Sequence, residues 1–242
     1  MEAIKAVGLS KRYGNTLAVS NLNLEIEEGE LFSLLGVNGA GKTTTVKILS
    51  CLTAPDEGDA YVLGKSIISN QAEVKEIIGV SPQETAIAPN LTVRENLEFM
   101  CGIYGFSRDE SARRVSELSK RLGISLVFDK KAGKLSGGFQ RRLSIAMAMV
   151  GEPKVLFLDE PTLGLDVIAR SELWDLIREL KGRVTVILTT HYMEEAEALS
   201  DRVGIMKDGR LLVVGAPRQI MESTGEDRFE NAFISVIKGA SL

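Results

Sequence analysis

Residues 36–43 have the glycine spacing and the Lys-Thr ending of a loop that binds phosphate groups. The glycines let backbone N–H groups turn inward around phosphate oxygens, and the helix predicted after them adds a partial positive charge. Lys42 is expected to reach the terminal phosphates, and the Thr43 hydroxyl is expected to coordinate Mg²⁺. The predicted phosphate-binding residues are Gly36, Asn38, Gly39, Ala40, Gly41, Lys42, Thr43 and Thr44.

Two adjacent carboxylates, Asp159 and Glu160, follow the four apolar residues of a predicted buried strand. Burying them is costly unless a metal ion or a phosphate-bound water uses them; a solvated acidic loop is the alternative. Asp159 fits a Mg²⁺ ligand, and Glu160 fits a general base that acts on water. His191, the only histidine, follows another predicted strand. Because the carboxyl ends of parallel strands share one edge of a sheet, we expect the loop, the acids and His191 along one edge.

A pair of adjacent glycines lies at the start of a predicted helix over residues 136–150. Ser136 is a natural N-cap residue, so a simple capped helix is one interpretation. Gly137 and Gly138, however, are poor helix formers, and in a first turn they expose N–H groups that suit another anion. The pattern therefore favours a second anion-binding helix start.

The elements that must position these residues read as an α/β fold with a mainly parallel sheet, because short β-type segments alternate with helical patterns. The first strands, at residues 2–9, 17–27 and 31–35, differ, since alternating polar and apolar residues predict antiparallel pairing with one wet face. Further strands are predicted at 60–63, 77–80, 155–158 and 184–190, and helices at 42–51, 93–103, 108–122, 136–150 and 169–180.

Composition excludes several classes of protein. The 242 residues, with 44% hydrophobic and 26% charged content, are typical of a globular chain, and no apolar run approaches the roughly 18 residues of a membrane span. No secretory signal is visible at the N-terminus. The formal net charge of -4 argues against a dedicated nucleic-acid binder. Cys51 and Cys101 lack metal-ligand spacing and are predicted to be reduced thiols.

Together and in this order, the motifs resemble those of the ATP-binding subunit of an ABC (ATP-binding cassette) transporter, over residues 3–225. The resemblance implies ATP and Mg²⁺ as cofactors. It also implies a P-loop NTPase core with an N-terminal antiparallel β subdomain and a helical insertion. The predicted domain covers residues 1–225, with its core at 1–82 and 150–225, the insertion at about 83–149, and a tail at 226–242.

The same resemblance assigns roles to residues that spacing alone does not explain. Tyr13 is implied to stack on adenine. Gln83 is implied to sense Mg²⁺ during catalysis and to couple to the membrane partner, and His191 to hold the γ-phosphate as a further catalytic residue. Ser136, Gly137 and Gly138 form the implied signature loop, and Asp166 is implied to lie at a dimer contact. Three residues, Val37, Phe139 and Val167, depart from the usual motifs of this family. None of these departures removes a group that would bind phosphate, bind the metal or transfer a proton.

In this family two subunits pair head to tail with ATP between one P-loop and the partner's signature loop. The resemblance therefore implies a second copy of this chain and a separate transmembrane permease as partners, at the cytoplasmic face of the cell membrane. The motifs resemble the branch that serves multidrug, antibiotic and polysaccharide exporters. A soluble ABC ATPase that acts on a cytosolic assembly scaffold is the alternative, whereas a non-hydrolysing sensor is disfavoured because Lys42, Asp159, Glu160 and His191 are all present.

An apolar cluster that follows Gln83 in the sequence bears on the choice between a transporter subunit and a soluble ATPase. It either fills the core of the insertion or, if several members are exposed together, suits a helix of the permease. Its members are Ile87, Leu91, Phe99, Met100, Ile103, Tyr104 and Phe106.

Overall fold

The computed structural model describes residues 1–239, and the chain divides into two compact units. The terminal unit comprises Met1–Lys75 and the chain from Leu180 onward, and the central unit comprises Glu76–Glu179. The predicted tail at 226–242 falls in the terminal unit, and its last three residues lie outside the described part. The predicted domain boundaries at 82, 150 and 225 do not coincide with these units, and they remain predictions.

The strands and helices alternate along most of the chain. The strands are β1 (Glu2–Tyr13), β2 (Thr16–Glu27), β3 (Leu31–Leu35), β4 (Glu57–Val62), β5 (Lys65–Ser66), β6 (Ile78–Ser81), β7 (Val155–Asp159), β8 (Thr185–Thr190), β9 (Arg202–Lys207) and β10 (Arg210–Gly215). The helices are α1 (Lys42–Leu49), α2 (Gln71–Ile77), α3 (Val93–Ile103), α4 (Arg108–Arg121), α5 (Gly137–Met149), α6 (Val167–Arg178), α7 (Met193–Leu199), α8 (Pro217–Thr224) and α9 (Phe229–Gly239). Short 3₁₀ turns lie at Ser125–Val127 and Ala132–Lys134.

The terminal unit contains an antiparallel sheet with the strand order β2-β1-β4-β5. Along β2, Leu22, Leu24 and Ile26 are buried while the residues between them are exposed, as the alternating sequence predicts. A second group of strands has the order β10-β9-β3-β8. Its pairs β3–β8 and β3–β9 are parallel, and β9–β10 is an antiparallel hairpin. All five residues of β3 are buried, as expected of a central parallel strand.

The central unit combines the parallel pair β6–β7 with helices α3 to α6. Helix α3 begins at a capping box, in which the Thr92 hydroxyl accepts from the Glu95 N–H and the Glu95 carboxylate accepts from the Thr92 N–H. Helix α4 has acidic residues in its first turn and basic residues in its last, which complements its dipole. The prediction of a helical insertion after an antiparallel N-terminal sheet in an α/β fold is confirmed.

Three differences from the predicted elements have local causes. Strand β1 runs to Tyr13 because its pairing with β2 continues through irregular registers as far as the turn. Helix α6 starts at Val167, two residues early, because the Asp166 side chain caps it. Four helices, α2, α7, α8 and α9, were not predicted; α8 has Pro217 in its first turn and Gly225 at its end, both recognisable helix boundaries.

Candidate functional site

The glycine-rich loop joins β3 to α1 in the terminal unit and has the backbone that an anion requires. Gly41, at the start of α1, has φ 102°, and a methyl group there would come within 2.4 Å of the Ala18 carbonyl oxygen, so only glycine fits. Helix α1 has no side-chain cap at its start and no acidic residue in its first turn. Its first N–H groups and the positive end of its dipole therefore suit a bound phosphate.

Lys42 lies beneath this loop with only 5% of its surface exposed. Its ammonium donates to the Gly36 carbonyl oxygen at 2.7 Å and approaches that of Val37 at 3.4 Å. A buried ammonium at the base of this loop is well suited to attract an anion to it.

The rest of the loop has an exposed tip and a fixed base. The tip residues Asn38 and Gly39 are exposed, whereas Ala40 is buried and its carbonyl oxygen accepts from the N–H of Gly209 at 3.0 Å. Thr43 and Thr44 follow in the first turn of α1 and are partly exposed. The β9–β10 hairpin, which sequence analysis did not connect with the loop, therefore braces it.

His191 leaves the sheet at the same level as this loop. The parallel register pairs Leu35, the last residue of β3, with Thr190, the last residue of β8. Gly36 and His191 therefore both follow carboxyl ends at one edge of the terminal unit's strands, as predicted. The imidazole ring lies against the ring of Tyr192, with centroids 4.1 Å apart.

Tyr13 ends β1, and 48% of its surface is exposed. The Lys11 ammonium lies 5.7 Å from its ring centroid, a cation–π distance that helps to hold the ring. The partner strand β2 contains Ala18, which contacts the loop at Gly41. An exposed aromatic ring on the strand that pairs with β2 can stack on a planar group.

In the central unit, the acid pair and Gln83 also share an edge. Register pairs Ser81 of β6 with Leu158 of β7, so the chain continues from both strands at the same level. Asp159 and Glu160 are 5% and 7% exposed. Glu160 has φ 48°, a left-handed conformation that costs about 1–3 kcal/mol for a non-glycine residue and is typical of functional sites.

The signature loop and the Asp166 segment meet in this unit. Ser136 occupies the N-cap position of α5, but contrary to the simple capping interpretation its side chain makes no capping hydrogen bond. A methyl group at Gly138 would lie 3.2 Å from the Ala169 Cβ atom. Asp166, predicted to lie at a dimer contact, accepts from the Ala169 N–H at 2.9 Å and so caps α6. This capping does not test its predicted role.

One residue that sequence analysis did not assign is Arg141, whose guanidinium bonds the backbone of Pro82 and Gln83. Arg141, Ser144 and Ala148 lie on one face of α5, and all are buried. Their spacing signals a buried arginine, but the local pattern does not identify its partners.

The predicted metal ligands, Thr43, Gln83 and Asp159, fit Mg²⁺ better than a metal that is bound by protein side chains alone. Among residues 1–239 no group of three or more His, Cys, Asp or Glu side chains could hold a metal ion. Mg²⁺ is instead usually bound by one or two carboxylates together with waters and phosphate oxygens. Thr43, Gln83 and Asp159 offer hydroxyl, amide and carboxylate oxygens, which are ligands that a hard cation accepts.

The apolar cluster beyond Gln83 is divided between surface and interior. On α3, Phe99 and Ile103 are 59% and 62% exposed and lie one turn apart. Tyr104 stacks on Phe106 with centroids 5.8 Å apart, and Ile87, Leu91, Met100 and Phe106 are partly buried. Within the described residues, every helix is too short or too polar to cross a lipid bilayer.

Comparisons with known proteins agree with this geometry. The ABC transporter family model matches residues 19–163. The chain is 43% identical over 216 residues to the Nod factor export ATP-binding protein I of Burkholderia orbicola, which covers 89% of this chain and 71% of that protein. It is 36% identical over 240 residues to the linearmycin resistance ATP-binding protein LnrL of Bacillus subtilis, and the alignment covers 99% of this chain and 77% of that protein. A solved ATP-binding cassette, a dimer in a post-hydrolysis state bound to ADP and Pi, matches with TM-score 0.78 and 30% identity over 88% of this chain and 98% of that one.

Proposed function

The chain belongs to the ABC transporter family, as an ATP-binding subunit that hydrolyses ATP, and we propose that it powers export through a separate membrane permease. The geometric observation that supports ATP binding is the backbone of the glycine-rich loop, in which Gly41 at φ 102° precedes an uncapped helix start that begins with the buried Lys42. Relatives named for Nod factor export and for linearmycin resistance support export as the direction.

Binding of ATP is assigned to the terminal unit. The N–H groups of the loop and of the first turn of α1 hold the phosphates, and Lys42 compensates their charge. Tyr13 stacks on the adenine ring, which its exposed face allows. His191 contacts the γ-phosphate, which distinguishes ATP from ADP.

Thr43, Gln83 and Asp159 are proposed to hold Mg²⁺. When bound, Mg²⁺ neutralises phosphate charge and orients the terminal phosphate for attack. Asp159 supplies the only carboxylate of this set, and Thr43 and Gln83 supply neutral oxygens, so the site's affinity depends on phosphate oxygens as well.

Glu160 is proposed as the general base. Its carboxylate is buried and follows the metal ligand Asp159 directly, so it can orient the attacking water and accept its proton. The left-handed backbone at φ 48° fixes the direction in which the side chain leaves β7.

The functional form is proposed to be a head-to-tail pair of this chain bound to the permease at the cytoplasmic face of the membrane. Ser136, Gly137 and Gly138 would bind the ATP held by the second copy, and the uncapped helix start they form suits an anion. Asp166 would face that copy. The exposed Phe99 and Ile103 on α3 are proposed to contact the permease.

Replacing Glu160 with Gln tests the chemistry and the pairing together. The substitution keeps the shape but removes the base, so phosphate release should fall roughly 10²-fold or more while ATP still binds. Blocked turnover should let the Mg-ATP dimer accumulate on size-exclusion chromatography. Adding Ser136→Arg should abolish that dimer without restoring turnover.

Glu152→Gln is the matched control. Glu152 is also a glutamate with left-handed backbone in the central unit, at φ 51°, but its side chain is exposed and pairs with Arg114. Its substitution should leave turnover unchanged. Wild-type phosphate release by Glu160→Gln would show that another group is the base, and a dimer insensitive to Ser136→Arg would contradict the head-to-tail pairing.

A further inference from the structure

One face of α5 lies closely against β6 within the central unit. A methyl group placed at Gly79 would come within 2.3 Å of the Ala148 carbonyl oxygen, so only glycine permits this approach. One turn nearer the start of α5, the Ser144 hydroxyl forms a buried hydrogen bond with that of Ser81 at 2.8 Å. Helix and strand therefore approach closely at Gly79, and a hydrogen bond between two small side chains joins them at Ser81.

Arg141 continues this face one further turn toward the start of the helix, and its side chain is buried. Its Nη1 donates to the Pro82 carbonyl oxygen and its Nη2 donates to the Gln83 carbonyl oxygen, each at 2.7 Å. The planar guanidinium therefore bridges two successive carbonyl groups. A lysine ammonium is a single point donor and cannot reproduce this fork.

These bonds hold the backbone around Gln83 and do not involve its side chain. Both acceptors are main-chain oxygens, so the side-chain amide takes no part in either bond. Hydrogen bonds from a charged donor are roughly twice as strong as neutral ones, and their loss would leave two partly buried carbonyl groups without these partners.

We propose that Arg141 is a positioning residue that joins the Gln83 segment to the helix carrying the signature loop. The inference rests on the proposed function, since it concerns Gln83 as a Mg²⁺ ligand and Ser136 to Gly138 as a contact to a second copy. Arg141 lies one turn, about 6 Å, from Gly137 along the same helix. A displacement of Gln83 is therefore transmitted to the signature loop, and a displacement of the loop is transmitted to Gln83.

Arg141→Lys and Arg141→Met test this role in the full chain. Hydrogen exchange of the peptide that contains Gln83 should accelerate about 10-fold in both variants, because the two carbonyl groups lose their fixed donors. The Mg²⁺ concentration that half-saturates ATP hydrolysis should rise at least about 3-fold. ATP affinity measured without Mg²⁺ should stay at the wild-type value, because the phosphate-binding loop is unchanged.

Arg114→Lys is the control for a merely structural arginine. Arg114 is also largely buried in the central unit and also donates to a backbone carbonyl, that of Val150 at 3.1 Å. It should lower thermal stability without moving the Mg²⁺ half-point or the exchange of the Gln83 peptide. Folded Arg141→Lys with wild-type exchange and a wild-type Mg²⁺ half-point would overturn the proposal, as would changes no larger than those of Arg114→Lys.

Gln83→Ala separates this proposal from the assignment of Gln83 itself. If Gln83→Ala leaves the Mg²⁺ half-point unchanged, Gln83 is not a metal ligand and the proposed function fails at that residue. Exchange of the Gln83 peptide then still decides whether Arg141 fixes the segment. If Arg141→Met does not fold, Arg141→Lys carries the test alone.

Discussion

Helix α9 packs into the core of the terminal unit, and truncating one of its buried side chains measures how much this packing contributes to the free energy of unfolding. Phe233 is only 7% exposed in a buried cluster that includes Leu35, which precedes the phosphate-binding loop, and Ala196 of α7, which follows His191. The Lys207 ammonium donates to the Ile237 carbonyl oxygen at 3.0 Å and holds the last turn of α9. The helix therefore supports both segments of the terminal unit that are proposed to contact ATP.

Phe233→Ala should be strongly destabilising. Truncating a buried phenylalanine costs about 3–5 kcal/mol, and we expect about 3 kcal/mol here because Phe233 keeps a small exposed fraction and α9 is the last helix described. For a chain of this size each kcal/mol lowers the melting temperature by about 2–4 °C, so Tm should fall by about 6–12 °C. Urea titration and circular dichroism measure the two quantities independently.

Ile234→Ala is the internal control, because Ile234 is adjacent on the same helix but 39% exposed. Ile234→Ala should lower the free energy of unfolding by about 1 kcal/mol or less, since a large part of the side chain is already in contact with solvent in the folded protein. Equal losses for the two variants would mean that α9 does not pack as described. Helix α9 would then not support the site.

Two further predictions concern the loop and the helix caps. Lys42→Ala should reduce ATP affinity at least about 10-fold by calorimetry, because the main charge opposing the phosphates is lost, whereas the exposed Lys47→Ala should bind ATP as the wild type does. Hydrogen bonds from the N–H and then the hydroxyl of Thr92 lower the pKa of Glu95. The carboxylate therefore stabilises α3 above the pKa of an unfolded glutamate, and this contribution is lost as pH falls through the depressed pKa. The Tm difference between wild type and Glu95→Gln should shrink on acidification, and a constant difference would contradict the assignment.

Much of the fold is predictable because its signals are local. The buried strand β3, the glycines that follow it and the helical pattern of α1 are contiguous in the sequence, so the loop and its neighbours are recognised together. The register that pairs Leu35 with Thr190 is different, since the two strands are far apart in the chain. Their meeting was expected only from the general rule that parallel strands share an edge.

The residues that sequence analysis missed depend on tertiary contacts. Phe229, Ala232 and Phe233 have helical spacing, yet only their packing in the terminal unit shows that the predicted tail contains a helix of the core. Arg141 is similar: a helix pattern marks its buried face, but nothing in the local sequence identifies Pro82 and Gln83 as its acceptors. Side chains whose partners are remote main-chain atoms leave no periodic signal.

The division of the chain into two units also separates the proposed chemical tasks. The glycine-rich loop, Lys42 and His191 belong to the terminal unit, and they are proposed to donate to phosphate or to neutralise its charge. Gln83, Asp159, Glu160 and the signature loop belong to the central unit, and they are proposed to supply oxygen ligands, the base and a second anion-binding helix start. This proposal assigns ATP binding and proton transfer to different units, each aligned by its own parallel strand pair. Loss of Lys42 should therefore act on affinity, and loss of Glu160 on turnover.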